Sequence, residues 1–364
     1  LYNVFVAKVY IFLSLLILFS SGASAKEAKY YEQLPGDRVQ CLLCPRECMI
    51  EEGQKGVCRV RKNEKGKLVS LVYAKPCSVN VDPIEKKPLY HFLPGTQTFS
   101  IATPGCNLRC VFCQNWEISQ SEPEDIQTTD LLPEQAVALA KDKKCPSISY
   151  TYSEPVSFYE YMYDTAFLAK QHKLKNVWIT CGYINQEPLN ELCTVIDAAN
   201  VDIKGFSNKT YRWTSGVTID PILETLKTLK AKGVWLEVGY LVIPTLNDSD
   251  AEIDSMLDWF MKNLGNNVPL HLLRFFPQHK LTNLPPTPIE TLDKIYNKAK
   301  KAGIRYVYVG NVPGHKANNT YCHNCGKMII GRKGYFVEEF NIVDGKCKFC
   351  GTKIPGVWTA EKRD

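Results

Sequence analysis

From Phe99 onward, short runs of β-branched and apolar residues alternate with longer stretches whose apolar positions recur at helical spacing. That alternation predicts βα units around a parallel sheet. Strands are expected at Phe99–Thr103, Ser147–Tyr152, Val177–Cys181, Val201–Lys204, Val234–Ile243, Leu270–Phe275 and Arg305–Val309, with helices at Glu134–Lys143, Val156–Lys170, Ile222–Lys230 and Ala251–Leu264. A further helix start is expected at Thr287-Pro288-Ile289-Glu290, with Thr287 as N-cap, Pro288 first in the helix, and Ile289, Leu292 and Ile295 on its buried face. Seven strands separated by helices fit an α/β fold, a partial to near-complete TIM-like (βα) barrel over 99–312. Chemistry in such a barrel gathers at the carboxyl ends of the strands, where the loops converge over the mouth.

The chain has 364 residues, 45% of them hydrophobic, enough to bury a sizeable core. Its net charge of +6 is spread along the chain instead of lying on one face, so nucleic acid is not an expected partner. The 15 cysteines change the picture more. Eleven fall into four short clusters, Cys41/Cys44/Cys48/Cys58, Cys106/Cys110/Cys113, Cys322/Cys325 and Cys347/Cys350, and such close pairs put thiolates within reach of one ion. Metal binding is therefore a better reading than a disulfide framework. The clusters define a Cys-rich segment over 38–98 before the barrel and a small module over 317–358 after it.

Directly after the first strand comes Thr103-Pro-Gly-Cys106-Asn-Leu-Arg-Cys110-Val-Phe112-Cys113. Three thiolates at this spacing can hold three corners of a 4Fe-4S cube. The fourth iron is left open to chelate the amino and carboxylate groups of S-adenosylmethionine (SAM). A structural zinc or redox thiol loop is the plainer alternative, and it would normally want a fourth ligand nearby.

The loop resembles that of the radical SAM superfamily, with Phe112 as the motif's aromatic residue. Three runs sharpen the resemblance: Asp82-Pro-Ile-Glu-Lys-Lys-Pro-Leu-Tyr-His91-Phe, Cys113-Gln-Asn-Trp-Glu-Ile-Ser119 and Tyr150-Thr-Tyr-Ser-Glu154-Pro155. Together they are similar to the AmmeMemoRadiSam system radical SAM proteins, related to pyruvate formate-lyase activating enzymes, over nearly all of Cys41 to Trp358. The resemblance implies an oxidoreductase that splits SAM reductively to a 5′-deoxyadenosyl radical for hydrogen abstraction, fed by a low-potential donor such as flavodoxin or ferredoxin. It implies that Glu154 accepts from the SAM amino group, although Tyr152 and Ser153 replace the glycines of the family's turn. Thr180-Cys181-Gly182-Tyr183 resembles a polar turn that approaches SAM, with a simple tight turn as the alternative. Asp202-Ile-Lys204 resembles the Asp-x-Lys of the activating enzymes, and strand alternation puts both side chains on one face, toward SAM or toward each other as a salt bridge. His271 and Arg274 are weaker candidates. The substrate is not supplied by the resemblance, and both a protein and a small molecule are left open. A non-catalytic iron-sulfur electron carrier or metal-binding protein is the rival from another class.

Cys322, Cys325, Cys347 and Cys350 form two knuckles, each followed by a glycine that permits a tight turn, and read as a zinc ribbon, with a rubredoxin-like iron site as the alternative. Cys41, Cys44, Cys48 and Cys58 supply four more thiolates for an auxiliary iron-sulfur cluster or a zinc, which sequence does not separate. At the amino terminus, Lys8, the apolar run Val9 to Phe19 and Ala23-Ser24-Ala25 match a secretory signal over 1–25. That run covers about 17 Å as a helix, short of the roughly 30 Å hydrocarbon core. A cleaved signal, a membrane anchor and untranslated upstream sequence are the three readings. Iron-sulfur chemistry favours a cytoplasmic catalytic domain, while this segment leaves export or membrane association open.

Overall fold

The computed structural model describes residues 25–360. The signal-like segment lies outside the described residues apart from Ala25, and no helix among those described is long and apolar enough to cross a membrane.

An eight-stranded sheet organises the chain: β1 (Ser78–Pro83), β2 (Gln97–Ala102), β3 (Ser147–Tyr150), β4 (Lys175–Thr180), β5 (Ala198–Ile203), β6 (Trp235–Val242), β7 (Leu270–Arg274) and β8 (Val307–Gly310). The strands neighbour one another in chain order; β2 to β8 are parallel and β1 is antiparallel at the edge beside β2. The seven expected parallel strands are present, and β1 is an addition that lies within the 38–98 segment. No ladder joins β8 to β1 among the described residues, so the sheet is open and not a closed barrel.

Helices α1 (Pro133–Asp142), α2 (Tyr159–Gln171), α3 (Gln186–Leu192), α4 (Asn208–Ser215), α5 (Asp220–Ala231), α6 (Asp250–Asn263) and α7 (Ile289–Lys301) form the crossovers. They pack on the face carrying Phe99, Ile101, Ile148, Trp178, Val201, Val238 and Leu272, all buried. One sequence expectation is corrected here. Thr287 does not cap α7; Pro288 is the N-cap and Ile289 the first helical residue. The Thr287 hydroxyl instead accepts from Phe275 N at 2.8 Å and donates to Val242 O at 2.6 Å, stitching β6 to the chain leaving β7. Pairing those backbone groups is worth more than an exposed cap, because an unpaired buried N–H or C=O is costly.

The opposite face of the sheet is unusually polar, with Thr98, Ser100, Ser147, Ser149 and Asn200 all buried. An open barrel must fill this interior, and the strap 84–93 does so. Ile84, Leu89, Phe92 and Leu93 pack on Val177 and Ala198 near the strand starts. Glu237 of β6 holds the strap in place. Its fully buried carboxylate accepts from Tyr90 N (3.0 Å), His91 N (2.8 Å), Trp235 Nε1 (3.0 Å) and His271 Nε2 (2.7 Å). Burial is the largest single influence and would raise this carboxyl, but the groups around it, His271 foremost, together hold it below its ordinary value.

A second polar chain ties the strap to the carboxyl-terminal module, whose sheet contains Thr320–Tyr321, Met328–Lys333 and Phe336–Phe340. Burial depresses His91 to about 4, so its imidazole is neutral. Nδ1–H must donate to the Pro355 carbonyl (2.7 Å), because a carbonyl only accepts. Nε2 therefore accepts from the Tyr308 hydroxyl (2.6 Å), which accepts from Thr320 Oγ1 (2.9 Å), which accepts from Arg332 Nη1 (2.8 Å). The amino-terminal module is two small antiparallel sheets, one of Lys26–Glu27, Arg61–Glu64 and Lys67–Ser70, the other of Tyr31–Leu34, Arg38–Cys41 and Met49–Ile50. Its first strands thus lie ahead of residue 38.

Glu237→Leu leaves two backbone N–H groups and an indole N–H without an acceptor inside the sheet. It is expected to cost about 3 kcal/mol or more of stability, and Glu237→Gln clearly less, as read by urea denaturation.

Candidate functional site

The carboxyl ends of β2 to β5 bring the expected residues to one edge of the sheet. After β2, Thr103 to Ser119 form a loop anchored on every side. Gly105 N donates to Ile118 O, Arg109 N to Ser215 O and Val111 N to Thr214 O, at 2.8–3.0 Å, tying the loop to itself and to the end of α4. Asn107 Nδ2 donates to Tyr183 O at 2.8 Å, Ser153 Oγ to Thr103 O at 2.7 Å and Ser157 Oγ to Gly105 O at 3.2 Å.

Cys106 and Cys110 are each 7% exposed, and Cys113 is half-buried. Leu108 N donates to Cys106 Sγ at 3.3 Å, and Cys110 Sγ lies 3.3 Å from Ser215 Oγ. Burial pushes the Cys110 thiol to about 11 and Cys106 well above its ordinary value. As free thiols they are neutral, and metal binding must displace their protons.

Gly105 shows how tightly this loop is seated. Its φ is +94°, and an added Cβ would lie 2.4 Å from Val60 Cγ1 and 2.7 Å from Cys58 O. Only glycine accepts both the conformation and the contact, so the cysteine loop lies directly against the amino-terminal Cys-rich module.

After β3, Glu154 is 2% exposed and its carboxylate faces the end of β4. Oε1 accepts from Thr180 Oγ1 (2.6 Å) and Val156 N (3.2 Å), and Oε2 from Cys181 N (2.7 Å). The Cys181 side chain also reaches this carboxylate, so donors surround it on the β4 side. Burial raises this carboxyl and the donors lower it, leaving it above its ordinary value. The Thr180–Tyr183 turn therefore shapes Glu154: Thr180 Oγ1 also accepts from Gly182 N at 2.9 Å, and Gly182 is left-handed at φ +71°.

At the end of β5, Asp202 and Lys204 do share a face, and they meet as a salt bridge, Nζ to Oδ2 at 3.3 Å. Burial would lower the Lys204 ammonium, but Asp202 together with the Cys181, Cys110 and Tyr211 side chains outweighs it and raises the group. Lys204 Nζ also stands 5.9 Å from the centre of the buried Phe112 ring, which brings the first and fourth parallel strands' loops together. Gly239 of β6 makes room for this pair, since a Cβ there would fall 2.3 Å from Asp202 Oδ1. Sequence reading passed over Gly239, although an isolated glycine inside an apolar strand is a signal of close approach. His271 and Arg274 are not drawn into the mouth: His271 serves Glu237, and Arg274 Nε donates to Thr287 O at 2.8 Å.

The carboxyl-terminal cysteines converge tightly. Cys322 Sγ lies 3.6 Å from Cys350 Sγ and Cys325 Sγ 3.8 Å from Cys347 Sγ. Tetrahedral zinc with Zn–S near 2.3 Å requires sulfurs about 3.8 Å apart, so the four fit a single ion. Gly326 and Gly351 take φ +72° and +73°, the tight turns expected after each knuckle. Among the described residues, no other group of three or more Cys, His, Asp or Glu ligand atoms is gathered within 4.8 Å. The Cys41, Cys44, Cys48 and Cys58 sulfurs are therefore spread wider, around a pocket they share with Arg61, Asn107 and Ser157.

A family model described as the radical SAM superfamily matches residues 100–257. An uncharacterized protein of Methanocaldococcus jannaschii is 47% identical over 331 residues, 90% of this chain and 98% of that protein. The pyruvate formate-lyase 1-activating enzyme of Escherichia coli K12 is 22% identical over 219 residues, 56% of this chain and 89% of the enzyme. Among solved structures, a domain of a pyruvate-formate lyase-activating enzyme from Bacteroides vulgatus aligns with a TM-score of 0.40 and 14% identity, over 45% of this chain and 99% of that one. Streptococcus suis SuiB bound to S-adenosylmethionine aligns at 0.46 and 13%, over 66% and 56%.

Gly105→Ala is expected to lower thermal stability sharply, since both φ and the collision with Val60 oppose it. Gly334→Ala, at φ +60° with open space around its Cβ, isolates the conformational part and should cost only about 1 kcal/mol. Equal losses in thermal denaturation would mean that the loop is not pressed against Val60.

Proposed function

We propose, from the premise that the chain belongs to the radical SAM superfamily, that Cys106, Cys110 and Cys113 hold a 4Fe-4S cluster and that Phe112, Glu154, Asp202 and Lys204 hold SAM beside it. The observation that carries this is the convergence of a three-cysteine loop, a buried carboxylate and an Asp–Lys pair at one sheet edge. The donor set suits the group. Three thiolates on one anchored loop leave an iron open, and the Leu108 N–H directed at Cys106 sulfur is the kind of hydrogen bond that tunes such clusters. When bound, the cluster supplies one low-potential electron, which splits the SAM sulfonium into methionine and a 5′-deoxyadenosyl radical.

The chain's own residues bind and orient. Glu154, held in place by Thr180, Cys181 and Val156, supplies the buried carboxylate for an ammonium. Lys204, clamped by Asp202, is a fixed cation for a carboxylate, and Asp202 in turn can accept from ribose hydroxyls. The packed strap fills the floor of the sheet, which leaves the mouth as the approach for substrate in this proposal. The role is that of an oxidoreductase abstracting hydrogen. A protein substrate is supported by the relative whose name describes the activation of pyruvate formate-lyase, and a donor of the flavodoxin or ferredoxin class is part of the proposal.

Cys181 favours a second reading, because it stands close enough to Cys106, Cys110 and Glu154 to feel their charge. As a fourth thiolate it would close the cluster and make the protein a non-catalytic electron carrier. We assign zinc to Cys322, Cys325, Cys347 and Cys350 as a structural site.

After anaerobic reconstitution with iron and sulfide, dithionite plus SAM is expected to yield 5′-deoxyadenosine. Cys110→Ala should abolish it, Glu154→Gln should weaken SAM binding about tenfold or more, and Cys181→Ala should retain it. Intact SAM in the wild type, with cleavage appearing only in Cys181→Ala, would establish the carrier reading. Cys347→Ser should lose one equivalent of zinc and lower the melting temperature, measured by metal analysis and calorimetry.

A further inference from the structure

The four amino-terminal cysteines line one pocket without being gathered to the spacing of a single ion. Cys41 ends the strand Arg38–Cys41, and its N–H donates to Cys48 O at 2.9 Å. Cys44 heads a turn closed by Glu47 N to Cys44 O at 3.1 Å, and Cys58 stands just before buried Val60. The four side chains line one pocket; Cys41, Cys44 and Cys58 are at most 9% exposed and Cys48 is half-buried. None forms a disulfide. The carboxyl-terminal quartet in the same chain is gathered to single-ion spacing, yet no three of these four sulfurs lie within 4.8 Å of one another. An iron-sulfur cube spreads its thiolates farther apart than one tetrahedral ion does, because each thiolate binds a different iron.

A second observation points to a ligand. Arg61, 2% exposed, is part of the pocket wall. Its Nη1 pairs with Glu160 at 3.1 Å and its Nη2 donates to Lys29 O, but its buried Nε–H has no partner. Glu160 already supplies the countercharge, but a buried guanidinium donor left unpaired is costly, and a sulfur-rich anion in the pocket supplies the missing acceptor.

We propose that Cys41, Cys44, Cys48 and Cys58 bind a second 4Fe-4S cluster, fully ligated by protein and paired with Arg61, that passes electrons to the site at Cys106, Cys110 and Cys113. Four thiolates leave no open iron, so the centre carries charge and does not bind substrate. Its pocket shares a wall with the catalytic loop: Asn107 belongs to that loop, Ser157 donates to Gly105 O, and Gly105 lies under the Cys58 carbonyl. A donor of the flavodoxin or ferredoxin class delivers one electron, the second cluster is reduced by one and reoxidised on passing it inward, and no bond or proton is exchanged. The metal assignment stands independently of the proposed function; only the relay role rests on it.

The test is metal and sulfide analysis with EPR on the full chain, reconstituted anaerobically. The wild type is expected to hold about eight irons and the Cys106→Ala/Cys110→Ala/Cys113→Ala variant about four, with a reduced-cluster spectrum that SAM does not perturb. A triple variant without iron but with a second zinc would overturn the cluster. If iron remains in the triple variant while the wild type leaves SAM intact, the catalytic reading fails and the second cluster stands. For the relay, Cys41→Ser/Cys58→Ser should lose at least about tenfold more deoxyadenosine formation with flavodoxin than with dithionite, a small reductant that needs no relay. Equal losses would overturn the relay role.

Discussion

A single buried carboxylate makes the open barrel workable. Seven parallel strands in chain order leave a concave face that no eighth parallel strand closes. Polar residues on that face need partners, and Glu237 supplies the fixed point by gathering four donors from the strap, from β6 itself and from β7. Once Tyr90 and His91 are held there, Arg332 stacks on the Tyr90 ring at 4.1 Å and donates to the Tyr90 carbonyl at 2.8 Å, and His91 connects through Tyr308 to Thr320. The carboxyl-terminal module is consequently part of the floor and not an appendage, and its Cys322 and Cys347 lie in the same apolar cluster as Tyr90, Tyr306 and Tyr308.

The parallel strands were legible because buried strands with β-branched residues and short loops leave a strong local pattern, and each falls within three residues of its expected bounds. Features decided by distant partners were not. β1 reads as Ser-Val-Asn-Val-Asp-Pro, with Val79 and Val81 exposed, so its alternation points away from the core that pattern reading looks for. Thr287 looked like a cap because its neighbours in sequence fit a capping box; its real partners, Val242 and Phe275, are supplied by the fold. The cysteine loop, Glu154, Asp202 and Lys204 were recognisable from spacing and resemblance, whereas Gly239 owes its meaning to an aspartate on the next strand.

The three cysteine groups differ in a way that their sequence spacing conceals. Two glycine turns bring the four carboxyl-terminal thiols to the spacing of one ion. The amino-terminal group has four thiols as well, but its members are distributed over a strand end, a turn and a separate loop, and a buried cation faces the space between them. The first arrangement has the spacing of one tetrahedral ion, while the second is wider and borders the buried Arg61–Glu160 pair.

The departure at Tyr152 follows from the same architecture. A non-glycine residue at φ +65° carries a local cost of about 1–2 kcal/mol. Tyr152 offsets it by sending its hydroxyl to Asp82 and laying its ring 4.2 Å below Lys87 Nζ, while Lys87 pairs with Asp82 at 2.7 Å. Asp82 and Lys87 stand at the entrance of the strap, so the turn that presents Glu154 is braced against the segment that plugs the floor. Two of the runs that carried the family resemblance, Asp82 to His91 and Tyr150 to Pro155, are thus direct physical partners. A glycine at position 152 would free the turn and leave the Asp82–Lys87 pair without the ring that covers it, which makes the tyrosine a consequence of the strap and not a defect in the motif.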